Sequence, residues 1–210
     1  MIKKKIFVFG ASGHAKVVID IIEHQGLYDI AFLVDDDLSL KGTEVYGYPV
    51  IGGKQELLAN SVQHGIVAIG SNKARRSVAL WLVDNNFEFI TAIHPAAQIA
   101  RGVSIGKNSV IMAGAIINSD CTIGSDVIIN TKTSIDHDCV IGDGVHIAPG
   151  ATLCGTVSVG IGSFVCAGST IIPNLTIGNN VIIGAGSTVI RNLPDNVTVI
   201  GSPAKLVKQD

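Results

Sequence analysis

Between residues 97 and 190 groups able to move a proton near neutral pH are scarce, and only two histidines occur there, His137 and His146. His137 lies between Asp136 and Asp138. A carboxylate that reaches Nδ1 of an imidazole fixes the tautomer and strengthens Nε2 as a base, so this run suits a general base. His146 follows nine residues later, and Asn130 precedes His137 by seven. A catalytic zinc ion normally takes three protein ligands and a water, and two histidines at this spacing offer no third ligand. No metal is expected in the chemistry. Nor does a G-x-S-x-G nucleophile elbow occur. What stands out is therefore one candidate general base, with neither a metal set nor a serine nucleophile beside it.

The elements that position these side chains are set by a repeat. Ile, Leu or Val occupies every sixth position from Ile99 to Val189, sixteen times without interruption. Neither the 3.6-residue period of a helix nor the two-residue period of a strand gives that spacing. Gly, Ala or Asn often follows the aliphatic residue, and a small residue often stands four after it, the pattern of a parallel β-helix. If three hexapeptides close one triangular coil, residues eighteen apart stack. Ser119 and Gly155 then lie on either side of His137, leaving the imidazole open along the prism surface. Nine residues are half a coil, so His146 is expected to point from the opposite side of the prism. Asn130 falls one coil below His146 on nearly the same side. A site that uses both groups requires two subunits, and three parallel prisms would build three equivalent clefts.

Residues 1–94 follow a different pattern, with strands expected at Ile6–Phe9, Ile30–Val34, Gly65–Ile69 and from Phe87. Helical spacing covers Ala15–Ile22 and the stretch through Val78, Leu82 and Val83, and a short helix is expected at Gln55–Ala59. Alternating strands and helices predict a small parallel sheet, an α/β Rossmann-like domain, ahead of the β-helix. Ligands of such sheets gather beyond the carboxyl ends of the strands. Those ends carry Gly10-Ala-Ser-Gly-His14, Asp35-Asp36-Asp37 and Gly70-Ser-Asn-Lys73. The first turn lacks the middle glycine of G-x-G-x-x-G, which argues against a redox dinucleotide. With the acidic triplet it still suits a nucleotide: a helix N-terminus for phosphate, a carboxylate for ribose or base. The expected division is 1–94, 97–190, and a polar, turn-rich tail at 191–210 that leaves the repeat near Asn192-Leu-Pro194.

A net charge of −2 provides no footprint for nucleic acid or an anionic membrane. The first apolar run is too short for a signal peptide, and no segment approaches a membrane span. A soluble, cytoplasmic protein is expected. Cys121, Cys139, Cys154 and Cys166 show no CxxC spacing, and Cys121 and Cys139 share one slot of the repeat, so they read as buried fillers. His24, His64 and His94 read as surface or boundary residues.

The run Asn130-Thr-Lys-Thr-Ser-Ile-Asp-His-Asp-Cys-Val-Ile-Gly142, then His146 and Gly201-Ser-Pro-Ala-Lys205, resembles the left-handed β-helix acyltransferases. With Phe9-Gly-Ala-Ser-Gly-His14 and Asp35-Asp36, the whole chain resembles the NeuD-like sugar acyltransferase family. It is most similar to the PglD-type bacterial enzymes that N-acetylate nucleotide-linked amino sugars for glycan biosynthesis. The resemblance implies acetyl-CoA as cosubstrate and a homotrimer with active sites between subunits. It implies His137 as general base and Asp138 as its orienting partner. Asn130 and His146 would approach the thioester end from the adjacent subunit. Gly155 would leave room for the pantetheine arm and offer its N–H to the thioester oxygen. Ala167, Ala185 and Lys205 would lie along the rest of the coenzyme. Gly10, Ser12, Gly13, His14, Asp35, Asp36 and Gly70 would hold the nucleotide sugar, expected to be a UDP-linked 4-amino-6-deoxy sugar. An O-acetyltransferase of sialic acid or another sugar, and a non-catalytic trimeric nucleotide-sugar-binding scaffold, are the alternatives.

Overall fold

The structure, a computed structural model, describes residues 3–209. Two compact units divide the chain, Met1–Pro95 and Ala96–Asp210.

The first unit runs β1 (Lys4–Phe9), α1 (Gly13–Gln25), β2 (Tyr28–Val34), β3 (Glu44–Val45), β4 (Tyr48–Pro49), α2 (Lys54–Leu58), β5 (His64–Val67), α3 (Asn72–Asp84) and β6 (Glu88–Phe89). Four strands form a parallel sheet in the order β2-β1-β5-β6. Phe7 and Phe9 of β1 pack with Leu57 of α2 and with Val78, Ala79 and Leu82 of α3. Alternation along the strand turns Ile6 and Val8, both fully buried, to the other face. Strand order reverses between β1 and β5, which opens a crevice at their carboxyl ends. β5 stops at Val67, two residues short of the expectation. The Ile69 and Gly70 carbonyls instead accept hydrogen bonds from the Arg75 guanidinium, at 3.1 and 3.2 Å. A 3₁₀ turn at Leu38–Leu40 and the β3–β4 hairpin were not foreseen.

The second unit is the expected left-handed β-helix, a solenoid of two-residue strands. Each strand pairs in parallel with the strand eighteen residues on, as in Ile128↔His146 and Ser134↔Thr152. One face carries Ile128–Ile129, His146–Ile147 and Phe164–Val165; a second carries Ile116–Ile117, Ser134–Ile135 and Thr152–Leu153. The third carries Thr122–Ile123, Val140–Ile141 and Ser158–Val159. The repeated aliphatic side chains from Ile111 to Val189 are buried, while Ile99 at the first coil is exposed.

A second column of inward positions, two before the repeated aliphatic residue, mixes Val and Ala with Ser, Thr and Cys, and the polar members donate to a carbonyl fifteen residues on. Ser109, Ser163 and Ser169 donate to Gly124, Gly178 and Gly184, and Cys121 and Cys139 to Asp136 and Cys154. The thiols are free, and burial pushes Cys139 up to about 11, far from a nucleophile. Cys154 and Cys166 are half-buried rather than buried. Gly106, Gly124, Gly142, Gly160 and Gly178 form a column at one corner. A Cβ on Gly106 or Gly160 would lie 2.5 Å from backbone of the next coil. In the tail Gly201–Ala204 form turns as expected, but two strands that were not foreseen flank them. Val197–Ile200 joins the first face as a further strand, and Lys205–Gln209 pairs with it antiparallel. Val197 and Val199, both buried, continue the inward side of the last coil.

Candidate active site

His137 and Asp138 form the two-residue turn between Ser134–Ile135 and Val140–Ile141. Asp138 sits at φ 58°, left-handed backbone that Asp and Asn tolerate best among side-chain-bearing residues. One coil down Asp120 has φ 61°, and one coil up Thr156 has φ 61°. The turn needs a residue of this kind, and its carboxylate is put to a second use. Asp138 Oδ2 lies 2.7 Å from His137 Nδ1. A carboxylate only accepts, so Nδ1 carries the proton and Nε2 keeps its lone pair. Asp136 Oδ1 accepts the His137 backbone N–H at 2.9 Å and the Asn118 side-chain N–H at 2.9 Å. Its other oxygen lies 4.0 Å from Nε2. The hydrogen bond to Asp138 and then the charge of Asp136 raise the His137 pKa against a small opposing desolvation. Hydrogen bonds from Asn118 and the His137 backbone hold Asp136 below the usual carboxylate range.

Gly155 does stack over His137, but the space above it is not empty. A Cβ at 155 would lie 2.6 Å from His137 Cε1 and 2.7 Å from Nε2. The missing side chain makes room for the imidazole itself. Its φ is not in the left-handed range, so the restriction is one of space.

Asn130 and His146 meet as expected, with Asn130 Nδ2 3.0 Å from His146 Nε2. Asn130 Oδ1 accepts the Thr131 N–H at 2.7 Å, so the amide nitrogen donates to the ring. His146 stacks on Phe164, one coil up, with centroids 4.8 Å apart. Phe164 was missed, although it is the single aromatic residue from 97 to 190. Ala167 and Ala185 are exposed and share the corner column of Thr131, next to this face. Lys205 opens the last strand of the same face and is exposed. Asn130, His146, Ala167, Ala185 and Lys205 thus lie along one side of the prism. His137 and Gly155 occupy the corner between the other two faces, and no single chain brings the two groups together.

In the first unit Gly10 adopts φ 121°, and a Cβ there would lie 2.6 Å from the Ala68 carbonyl oxygen. The turn after β1 therefore packs directly on the turn after β5. Asp35 is committed to backbone: Oδ2 accepts the Ala11 N–H at 2.8 Å and Oδ1 the Asp37 N–H at 2.9 Å. Asp36 pairs with Lys54 at 3.2 Å, and Asp37 caps the Leu38–Leu40 turn through Ser39. Ser12 stands at the N-cap of α1 without a side-chain cap, and a Cβ on Gly13 would meet open space. Beside Gly70 lies His14, whose buried Nε2 has no hydrogen-bond partner among the described residues. Burial, then the charge of Arg75, lowers the His14 pKa to about 4, so the ring is neutral.

Arg75 was missed. It is fully buried, with Nη2 donating to Asn72 Oδ1 at 2.8 Å in addition to its two carbonyl partners. Its position was readable as a polar residue on the apolar stripe Arg75, Val78, Ala79 and Leu82 of α3.

The first unit matches the PglD N-terminal domain model over residues 5–82, and residues 120–155 match the bacterial transferase hexapeptide model. A structure of PerB from Caulobacter crescentus in complex with CoA and GDP-perosamine is 39% identical. The match covers 97% of each chain with a TM-score of 0.92. The chain belongs to the PglD-type sugar acyltransferase family. The acetyltransferase domain of PglB from Neisseria gonorrhoeae, in complex with acetyl coenzyme A, is 36% identical with a TM-score of 0.90. That match covers 98% of this chain and 100% of the other. A UDP-N-acetylbacillosamine N-acetyltransferase of Bacillus subtilis is 40% identical over 113 residues, about half the length of each chain. Among the described residues no helix is long and apolar enough to cross a membrane.

Proposed function

We propose that this PglD-type protein transfers the acetyl group of acetyl-CoA to the amino group of a nucleotide-linked amino sugar. The observation that carries the reading is His137, with Nδ1 held by Asp138 and Nε2 presented over the bare face of Gly155. In the proposed step the sugar amine attacks the thioester carbonyl and Nε2 takes the amine proton. The C–S bond breaks as the tetrahedral intermediate collapses, and the proton passes to the departing CoA thiolate. The Gly155 N–H is the proposed oxyanion donor. Asn130, His146 and the small residues Ala167 and Ala185 form the proposed coenzyme edge, with Lys205 toward its nucleotide end. A homotrimer of parallel prisms would bring that edge against the His137 corner of the next subunit. The uncapped start of α1, neutral His14 and the Asp35–Asp36 turn form the proposed nucleotide subsite.

Both relatives named for their sugars act on or hold a nucleotide-linked amino sugar, one with UDP and one with GDP. This supports N-acetylation over O-acetylation of sialic acid. The test is release of CoA thiol across UDP-, GDP- and dTDP-linked 4-amino-6-deoxy sugars and free sialic acid. Turnover confined to nucleotide-linked amino sugars supports the reading, with UDP the expected nucleotide. Turnover on free sialic acid, or none on any of them, overturns it. Mixing His137→Ala with His146→Ala subunits, each inactive alone, should restore activity if the cleft is shared.

A further inference from the structure

A second cluster of coordinating side chains lies away from these residues, at the other end of α1. Asp20 and His24 are one helical turn apart on the exposed side of the helix, and His94 follows the short strand Ala92–Ile93. One carboxylate oxygen and one ring nitrogen from each histidine all lie within 4.8 Å of one another. The two imidazoles are 5.3 Å apart between centroids and tilted by 33°.

We propose that Asp20, His24 and His94 form a site for a divalent transition-metal ion, Zn²⁺ being the best match to its donors. Two imidazoles and one carboxylate are the borderline donors that zinc takes in preference to magnesium or calcium, which favour oxygen alone. At zinc bond lengths neighbouring ligand atoms of a tetrahedron stand about 3.4 Å apart. A modest rotation of the exposed Asp20 side chain and a small approach of the two rings would bring the present spacing towards that value. A fourth position is left for water.

Three features favour a cation at this place. His24 lies in the last turn of α1, where the unsatisfied carbonyls of the helix end carry partial negative charge. The His24 ring is already oriented, with Nδ1 2.8 Å from the Asp20 carbonyl oxygen. Finally, the two ligand-bearing segments are tied together: the Ile93 N–H points at Gln25 Oε1, 3.5 Å away. Less ordering is left for the ion to impose. The ion would clamp the end of α1 to the segment that closes the first unit.

The probe is Zn²⁺ itself, with Co²⁺ as a spectroscopic substitute, on the full-length metal-free protein. Expected are one equivalent of Zn²⁺ in equilibrium dialysis, a rise in melting temperature, and Co²⁺ visible bands of a low-coordinate nitrogen–oxygen site. His94→Ala and His24→Gln should each weaken binding by about tenfold or more, as loss of a ligand does. Acetyl transfer in the absence of metal should stay at the wild-type rate, since none of the three residues belongs to the proposed transfer site. A His64→Gln control should bind zinc as the wild type does. No saturable binding, or binding undiminished in both ligand variants, overturns the proposal. Sulfur-dominated Co²⁺ charge-transfer bands also overturn it, by moving the metal to the cysteines.

Discussion

Gly155→Ala isolates the relation between the repeat and the base. The new methyl would lie 2.6 Å from His137 Cε1 and 2.7 Å from Nε2. Ordinary carbon contact begins near about 3.5 Å, so the overlap approaches 1 Å. The backbone at 155 is fixed by its coil, whereas the imidazole is the far end of an exposed side chain. The ring is therefore the part that moves, and in moving it leaves the carboxylate 2.7 Å from Nδ1. Folding should hardly change, because no buried contact is lost and the backbone at 155 accepts any residue. Catalysis should change strongly. A reacting group misplaced by about 1 Å loses about 100-fold, equivalent to about 2.7 kcal/mol of barrier, within the range a positioned general base supplies. The measurement is kcat/KM for thiol release, paired with a thermal melt, in wild type, Gly155→Ala, His137→Ala and the double variant. If the methyl acts through the imidazole, it does nothing further once His137 is alanine. An equally large loss in the His137→Ala background would refute that reasoning, and so would full activity in Gly155→Ala.

Replacing Asp138 with asparagine exchanges the charged acceptor that raises the His137 pKa for a neutral amide, so two changes are expected in the pH–rate profile. The base is active when unprotonated, so the acidic limb should move to lower pH, while the plateau falls because a neutral amide supports the ring and its imidazolium less than a carboxylate does. A limb that stays in place would detach Asp138 from the base. His14 makes a prediction about stability. Its folded pKa of about 4 lies below the 6.5 of an unperturbed histidine, so the unfolded chain binds the extra proton first. The contribution is complete above about 6.5 and is lost as pH falls towards about 4, up to about 3 kcal/mol in all. Urea midpoints at pH 7 and pH 4.5 should fall more for wild type than for His14→Gln, and equal slopes would contradict the burial.

Much of the β-helix was legible because its period is a property of the chain. A fixed six-residue spacing of aliphatic residues admits one stacking, and stacking by eighteen correctly put Gly155 over His137 and Asn130 beneath His146. The αL requirement of each corner likewise made Asp138 readable as a turn residue. The parallel sheet of the first unit followed from alternating strand and helix periods.

Other relations depend on distances between residues far apart in sequence. That the His137 ring lies hard against Gly155 depends on a rotamer, which no spacing encodes. That Asp35 holds the Ala11 N–H depends on how two strand ends meet across β1 and β2. Nothing local to α3 says that Arg75 is fully buried, which only the packing of the helix on the sheet decides. Asp20, His24 and His94 are separated by seventy-four positions at their widest, and only the packing of α1 beside Ala92–Ile93 makes them neighbours. Sequence alone determined the repeating architecture and singled out His137 as the candidate base, because both signals are local and periodic. Tertiary structure decided which side chains share a site, because burial, rotamer and contact exist only once distant segments pack.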